Sequence, residues 1–148
     1  RYVGLECYSG ERDYPRRWLH AANGTLIGNE ETWDGGLSPE TVYWDADPQR
    51  EVLVGTRLFD FDTGRTHTTV IDGHHAAWAD IIGDWREETV ASVNGELRIY
   101  TTTIPATDRR VCLMQDPIYR IDVAHLAMGY AQPPMTTFYL AGEQTGRR

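Results

Sequence analysis

The sequence predicts an all-β fold, and within that class a portion of a β-propeller with about three blades. Apolar and polar residues alternate over short runs, which is the pattern of strands that bury one face. Turn dipeptides separate these runs, and Asn23-Gly24 and Asn94-Gly95 favour tight hairpins because both residue types tolerate positive φ. A helical period is conceivable only over Ile121–Met128.

An acidic loop occurs twice and supplies the internal repeat. Asp47 and Asp84 are 37 residues apart, as are Glu51 and Glu88 (47 to 84, 51 to 88). A period of this length, with several short strands in each period, is typical of propeller blades. We therefore divide the chain, residues 1–148, into blade-like units at about 1–32, 40–72 and 78–140.

Each unit contains short strands joined by turns. Around the turns the predicted strands are Val3–Cys7, Val52–Val54, Arg57–Phe61, Arg65–Ile71, Val90–Val93 and Glu96–Thr103, with one turn at 62–64. The tail predicts further strands at Val111–Met114, Ile118–Val123 and Thr136–Leu140. Three blades cannot close a ring, so closure requires the remainder of the protein's own propeller or another chain. The chain begins as if in mid-strand, and we expect a piece of a longer polypeptide.

Charge and hydropathy exclude two classes of partner. A net charge of −8, with 14 arginines and no lysine, disfavours binding to nucleic acid. No apolar run approaches the roughly 20 residues that cross a membrane. Hydrophobic residues make up 41% of the chain, which supports a folded core. Cys7 and Cys112 form either one bridge or two buried thiols.

The acidic loops are candidate metal sites. Calcium is held by about six to eight oxygen ligands, and closely spaced carboxylates on a loop can provide them. Alternatively, the same carboxylates accept backbone N–H groups and stabilise turns. The candidate calcium ligands are Asp45, Asp47 and Glu51 in the first loop and Asp80, Asp84 and Glu88 in the second.

A histidine pair is the first candidate for catalysis. His74 and His75 follow Asp72-Gly73 at the end of a predicted strand, and strand-end loops line the central face of a propeller. An imidazole there can act as a general base near neutral pH, or both can be solvated loop residues. We assign His74 and His75 as catalytic, and Gly73 and Trp78 as substrate-binding.

Four short strings carry a family resemblance. G-D-W-R-E-E, L-R-I-Y-T-T-T, L-M-Q-D-P-I-Y-R and G-Y-A-Q-P-P occur in this order between Ala79 and Leu140, with Y-W-D-A-D-P-Q-R-E-V-L upstream. In these strings the chain resembles the carboxy-terminal part of the bacterial rhamnogalacturonan lyases of polysaccharide lyase family 11. The resemblance implies a carboxy-terminal portion of an eight-bladed propeller that binds calcium. It also implies a secreted or extracellular protein with an acidic polysaccharide substrate.

The resemblance gives Tyr130, in G-Y-A-Q-P-P, a role in catalysis or substrate binding. From the residues alone, Tyr130 would be a buried tyrosine packing on Pro133. Arg120 and His125 are its candidate charge partners, with Arg120 assigned as catalytic and His125 as substrate-binding. The family has a lysine in the loop that corresponds to the histidine pair. Because this chain has no lysine, either a histidine takes that role or the activity differs.

The leading functional hypothesis is a carbon–oxygen lyase that cleaves rhamnogalacturonan by β-elimination. A base removes the C5 proton of galacturonate while arginine or Ca²⁺ neutralises its carboxylate. The alternative is a non-catalytic, calcium-dependent carbohydrate-binding propeller that stacks sugars on its tryptophans. The tryptophans considered for stacking are Trp33, Trp44, Trp78 and Trp85. A third possibility is a structural assembly module with these tryptophans in its core.

Overall fold

The computed structural model describes residues 2–7, 16–21, 23–29, 40–61, 65–130 and 132–140. The strands are β1 (Tyr2–Cys7), β2 (Arg16–Ala21), β3 (Leu26–Asn29), β4 (Thr41–Val42), β5 (Glu51–Val54), β6 (Arg57–Phe59), β7 (Thr66–Val70), β8 (His74–Ala79), β9 (Glu88–Val93) and β10 (Glu96–Tyr100). A 3₁₀ turn at Leu113–Gln115 and one helix, α1 (Pro117–Ala127), follow. The predicted turn at 62–64 and Trp33 lie outside the described residues.

The strands form antiparallel sheets in chain order. One sheet has the order β1-β2-β3, one has β4-β5-β6-β7, and one has β10-β9-β8. The prediction of a propeller portion is wrong, because these described sheets are separate and open and no ring is formed among them. The physical reason is that alternation and hairpin turns determine pairing between neighbouring strands. They contain no information on how one sheet lies against another.

The predicted hairpins are confirmed where the structure describes them. Asn94 and Gly95 have φ of 49° and 85° and join β9 to β10, with Val93 opposite Glu96. Gly24, between β2 and β3, has φ of 84°. Positive φ at these positions is the backbone geometry that Asn-Gly turns provide.

The 37-residue repeat is visible in the hydrogen bonds of its glutamates. The Trp44 N–H donates to Oε2 of Glu51 over 2.7 Å, and the Ile81 N–H donates to Oε2 of Glu88 over 2.9 Å. Trp44 and Ile81 are themselves 37 positions apart (44 to 81). Each glutamate begins a strand and turns its carboxylate back onto the preceding loop.

The aspartates of the repeat follow the same rule. Oδ1 of Asp47 accepts a hydrogen bond from the Gln49 N–H over 2.7 Å, and Oδ1 of Asp84 accepts one from the Arg86 N–H over 3.1 Å. Both are Asx turns, in which a carboxylate bonds the backbone two residues later. The two acidic loops are therefore the same local module.

The tail departs from its predicted strands. Ile118–Val123 lies in α1, Val111–Met114 runs into the 3₁₀ turn, and Thr136–Leu140 is not a strand. Asp116 caps α1 by accepting the Ile118 N–H over 2.9 Å, and proline at the first helical position suits the unpaired N-terminal turn. No helix among the described residues is long and apolar enough to span a membrane.

The core consists of two clusters of buried side chains. Leu126 of α1 packs with residues of β4 to β8 and their loops, so the helix completes the first cluster. The two clusters comprise Val42, Trp44, Leu53, Leu58, Ile71, Trp78 and Leu126, and Trp85, Leu113, Tyr119 and Leu140. The tryptophans of both clusters are at most 2% exposed and cannot serve as sugar-stacking platforms. Cys112 is a free, half-buried thiol, and the side chain of Cys7 lies outside the described part of the structure.

A buried ion pair joins the two acidic loops. Arg50 donates to both carboxylate oxygens of Glu87, over 2.9 and 3.1 Å, and the Glu87 side chain is fully buried. The same two terminal nitrogens of Arg50 also donate to the carbonyls of Thr41 and Pro134 over 2.8 and 2.6 Å. The guanidinium also lies 4.2 Å from the ring centroid of Tyr43. One arginine thus connects the first loop, the second loop and the C-terminal segment.

The helix contributes the third member of this network. The Tyr119 hydroxyl donates to Oε1 of Glu87 over 2.6 Å and accepts the Asp80 N–H over 3.1 Å. Burial and the charge of Glu87 raise the pKa of Tyr119, so the phenol stays neutral and donates. Burial also raises the pKa of Glu87, which Arg50 and Tyr119 oppose. The network is favourable only when it is complete, because each member compensates the burial of another.

Replacing Glu87 by alanine should destabilise the protein strongly. The change leaves the largely buried guanidinium of Arg50 without its carboxylate partner, and losses of this kind cost up to about 3–5 kcal/mol. Denaturant unfolding followed by circular dichroism measures the effect. Glu96→Ala is the matched control, since the Glu96–Arg98 pair is exposed and should contribute little. Equal effects of the two substitutions would contradict this account of the network.

Asp116 should make stability depend on pH at the acid end. Burial alone raises its pKa, but hydrogen bonds from the N–H and hydroxyl of Thr137, followed by those from Ile118 and Tyr119, outweigh it and lower the pKa. Its stabilisation is therefore present above the unfolded value of 3.8 and is lost as pH falls through the lower folded value. Asp116→Asn should be less stable than wild type at pH 7, and the gap should narrow below about pH 4. A gap that stays constant in thermal melts across this range would refute the assignment.

Candidate functional site: a cleft between two sheets

An open cleft lies where the four-stranded sheet meets the sheet of β8, β9 and β10. Its volume is about 590 Å³. Residues from both sheets line it, including the turn between β5 and β6 and the start of β8. The lining residues are Glu40, Val54, Gly55, Thr56, Gly73, His74 and His75. The predicted residues Gly73, His74 and His75 are therefore together at one cleft.

Gly73 allows the chain to pass close to the end of β9 at the cleft edge. Its φ is +96°, and its N–H donates to Oδ1 of Asp72 over 2.9 Å. A Cβ at this position would lie 2.4 Å from Cγ2 of Val93 and 2.5 Å from the carbonyl oxygen of Ser92. Only glycine fits both the backbone conformation and the space, so the turn into β8 depends on it.

The two imidazoles have different surroundings. His74 is exposed, and its Nδ1 is 2.9 Å from the carbonyl oxygen of His75. The side chain of His75 is only 7% exposed, and its Nδ1 is 3.4 Å from Oε2 of Glu40. Because a carbonyl or carboxylate oxygen can only accept, Nδ1 is the donor in both contacts. A neutral imidazole in either position then has Nε2 as its free acceptor.

The first acidic loop brings three carboxylates close together. One side-chain oxygen each from Asp45, Asp47 and Glu51 can lie within 4.8 Å of the others. Burial, and then the charge of Asp45, raises the pKa of Glu51 to about 9. Glu51 therefore holds a proton near neutral pH, and a cation bound to its carboxylate would have to displace that proton. Asp45 also lies within the same distance of Asp60 and His67.

The second acidic loop has its oxygens committed to the protein. Asp80 accepts the N–H groups of Gly83, Trp85 and Leu113 over 2.7–3.1 Å. Asp84 pairs with Arg86. The candidate ligands Asp80, Asp84 and Glu88 do not form a metal-sized group among the described residues.

Glu88 completes this committed loop. Its Oε2 accepts the N–H groups of Ile81 and Ile82, and its Oε1 accepts the Thr101 hydroxyl over 3.0 Å. Burial raises its pKa, and these hydrogen bonds oppose the rise. In this loop the carboxylates stabilise turns, which is the alternative that the sequence left open.

The other candidate residues have separate surroundings, except that His125 and Tyr130 contact each other. Trp78 is in the core with 2% exposure. Arg120 donates to the carbonyls of Met114 and Gln115, so its guanidinium holds the 3₁₀ turn. Tyr130 is 63% exposed and meets the ring of His125 edge-on, at 6.1 Å between centroids. Within the described part of the chain, these contacts do not join Tyr130 to His74 or His75.

A family model identifies the chain. The model for the C-terminal domain of rhamnogalacturonan lyase family 11 matches residues 1–147. The chain belongs to this family. The resemblance found in the sequence strings is thereby confirmed, and the match extends it over almost the whole chain.

Relatives of this family occur in Bacillus subtilis (strain 168). The chain is 35% identical over 150 residues to rhamnogalacturonan endolyase YesW, a match that covers 90% of this chain and 23% of YesW. It is 35% identical over 115 residues to rhamnogalacturonan exolyase YesX, covering 75% of this chain and 18% of YesX. The chain thus spans about a fifth to a quarter of the length of these curated relatives.

Solved structures of family 11 lyases share the fold. The crystal structure of rhamnogalacturonan lyase YesW aligns with a TM-score of 0.65 and 30% identity, covering all of this chain and 28% of that one. The Bacillus licheniformis rhamnogalacturonan lyase of the same family aligns with a TM-score of 0.65 and 34% identity, covering 99% and 28%. Both alignments include the cleft and both acidic loops.

Three polar residues of this family 11 domain were missed by the sequence reasoning. Glu40 joins the cleft because the Leu53 N–H bonds its carbonyl beside β5, and no motif links it to His75. Asp60 and His67 approach Asp45 across the β6–β7 hairpin. The hairpin prediction could have brought Asp60 and His67 together, but Glu40 required knowledge of contacts between sheets.

Proposed function

We propose that this chain is part of a rhamnogalacturonan lyase that cleaves its acidic polysaccharide by β-elimination. The family model that spans residues 1–147 carries the proposal. The names of the relatives, an endolyase and an exolyase of rhamnogalacturonan, support the substrate class. Because the chain matches only part of those relatives, we assign the activity to the full-length protein. A polymer substrate is met outside the cell, so we expect a secreted or extracellular protein.

The cleft supplies the groups that the first half of the reaction requires. A base removes the C5 proton of a galacturonate residue, the C4–C5 double bond forms, and the C4–O4 bond breaks. The exposed ring of His74 has Nδ1 engaged as a donor, so its neutral form holds on Nε2 a lone pair that can take this proton, whereas Nε2 of His75 is buried. The leaving oxygen keeps the electron pair and is protonated by an acid or by water.

The exposed phenol of Tyr130 is the proposed acid at the leaving group. Its ring is accessible, unlike that of a core tyrosine such as Tyr119. A tyrosine can donate a proton to the departing alkoxide because a phenol is a stronger acid than the sugar alcohol that forms. His125 lies against its ring and is the proposed partner for substrate contact there.

The charge of the substrate requires positive charge from elsewhere in the protein. The described lining of the cleft contains no arginine, and the sequence contains no lysine. A calcium ion is proposed at Asp45, Asp47 and Glu51, whose spacing fits a cation. A cation bound there would neutralise the carboxylates and hold the first loop against the start of β5.

The lyase proposal is tested on the full-length protein with rhamnogalacturonan as substrate. Each cleavage creates a conjugated double bond, so we expect ultraviolet absorbance of the product to rise with time. Polygalacturonate lacking rhamnose serves as the control substrate and should give a much smaller rate. An absence of absorbance and of shortened products, with calcium present, would exclude the proposed function.

The calcium proposal predicts different behaviour for equivalent aspartates of the repeat. Adding Ca²⁺ should raise the melting temperature, since a ligand at 100 times its Kd adds about 2.7 kcal/mol of stability. Asp47→Asn should abolish most of this rise, whereas Asp84→Asn should retain it because Asp84 pairs with Arg86. Differential scanning calorimetry with and without a chelator measures both. If the rise survives in Asp47→Asn, the ion binds elsewhere.

A further inference from the structure

Two connections of the four-stranded sheet meet at the end that lies away from the cleft. The turn from β5 to β6, with Gly55 and Thr56, lines the cleft, whereas the β4–β5 loop and the β6–β7 connection leave the opposite ends of these strands. Asp45 lies in the β4–β5 loop, Asp60 follows β6, and His67 is the second residue of β7. Two carboxylate oxygens and one imidazole nitrogen from these residues lie within 4.8 Å of one another.

Backbone contacts position these side chains. The Asp60 N–H donates to the Arg65 carbonyl over 2.9 Å, which closes the β6–β7 hairpin beside His67. Oδ1 of Asp45 accepts the Asp47 N–H over 2.9 Å, which orients the Asp45 carboxylate. Hydrogen bonds of this kind hold metal ligands in place around an ion. The group is therefore formed by the fold of the sheet and does not need a new arrangement of the chain.

The imidazole of His67 has an unpaired nitrogen. Nε2 is buried and has no hydrogen-bond partner within the described part of the chain. A buried polar atom without a partner is rare in native proteins and calls for a specific explanation, such as a bound ion. Of the buried side-chain atoms without a partner in the described residues, Nε2 of His67 alone belongs to a residue of a metal-sized group.

The burial of Nε2 is compatible with an ion as its partner. Zn²⁺ lies about 2.0–2.2 Å from its nitrogen and oxygen ligands, whereas a hydrogen-bonded water oxygen lies about 2.9 Å from a nitrogen. An ion can therefore coordinate a nitrogen that solvent water does not touch, because the ion sits inside its ligands. Asp45, Asp60 and His67 are each only partly buried, so the group is open to solvent on one side and an ion can enter.

The ligand types indicate which ions suit this group. Calcium takes about six to eight ligands and these are oxygens, whereas imidazole is a ligand of first-row transition metals such as zinc. One nitrogen and two carboxylates from the protein, with water at the fourth position, form a four-coordinate site of the kind that Zn²⁺ accepts. The group therefore differs in chemistry from the all-carboxylate set of the first acidic loop.

We propose that Asp45, Asp60 and Nε2 of His67 bind a divalent transition-metal ion of the Zn²⁺ type. The ion joins the β4–β5 loop to the β6–β7 hairpin and stabilises this end of the sheet. The site lies away from the cleft and does not depend on the proposed lyase function. Asp45 is also a proposed calcium ligand, so the two ions are distinguished by the residues that they do not share.

The site is tested by isothermal titration calorimetry of the full-length protein with ZnCl₂, after chelator treatment and without calcium. Loss of an outer-shell partner alone weakens metal binding about 10- to 100-fold, so His67→Gln, which removes a ligand, should weaken Zn²⁺ binding at this site at least about 10-fold. Asp60→Asn should also weaken it. His20→Gln, on β2 of another sheet, is the matched control and should bind Zn²⁺ as wild type does. Unchanged binding in His67→Gln would overturn the proposal.

Thermal melts separate this site from the proposed calcium site. Zn²⁺ should raise the Tm of wild type and of Asp47→Asn, because Asp47 is not a ligand here, and should raise the Tm of His67→Gln much less. A rise that is lost in Asp47→Asn and kept in His67→Gln would place the ion in the calcium group and refute the proposal.

A third measurement needs no variant. Paramagnetic Co²⁺, added to wild type in place of Zn²⁺, should shift or broaden the imidazole signals of His67 in ¹H–¹⁵N spectra, and should leave those of His20 unchanged. Signals of His67 that remain unchanged at saturating Co²⁺ would exclude the imidazole as a ligand.

Discussion

The bidentate ion pair between Arg50 and Glu87 is the interaction on which the rest of the described structure depends. It is buried, so the carboxylate and the guanidinium must each be compensated by the other. The Tyr119 hydroxyl of α1 donates a further hydrogen bond to Glu87, and the Pro134 carbonyl accepts one from Arg50. Neither acidic loop can shift without exposing a charge to the core. The two sheets formed by β4 to β10 and the helix are therefore held in one relative arrangement by a few directional hydrogen bonds.

Local features of this fold could be predicted, whereas the arrangement of the sheets could not. The Asn94-Gly95 hairpin follows from residues that tolerate positive φ, and the acidic loops follow from carboxylates that bond nearby N–H groups. The propeller prediction failed because it extrapolated from strand pairing to sheet arrangement. Arg50 and Glu87 are one repeat apart, so the period itself pointed to their equivalence. The period alone did not show that these two equivalent positions, which carry opposite charges, form an ion pair.

The tail was misread for a related reason. Ile118–Val123 alternates in polarity closely enough to suggest a strand, yet Asp116 and Pro117 together make a strong start for a helix. The cap outweighed the alternation because it satisfies N–H groups that a first helical turn otherwise leaves unpaired. Packing of Leu126 and Tyr119 into the two core clusters then stabilises α1 beyond its own propensity.

The candidate site residues have different surroundings in the folded chain, and these surroundings decide what each residue can do. Gly73, His74 and His75 share one cleft because consecutive residues stay together, but the histidines begin β8 and do not lie in the strand-end loop of a propeller that the sequence predicted. The sequence did not distinguish the two acidic loops, whose difference comes from distant donors such as Leu113 and Thr101. Only folding reveals which carboxylates also accept hydrogen bonds from distant parts of the chain.

The packing contacts and hydrogen bonds of the C-terminal segment limit how far this domain can be truncated and still fold. Leu140 is buried beside Trp85, and its carbonyl accepts a hydrogen bond from Arg110, while the Pro134 carbonyl accepts one from Arg50. A chain truncated after α1 would lack both of these carbonyl acceptors, and the loss of Leu140 would leave a cavity in the second core cluster. Residues 132–140 therefore stabilise the packing of the domain, although they carry no regular secondary structure.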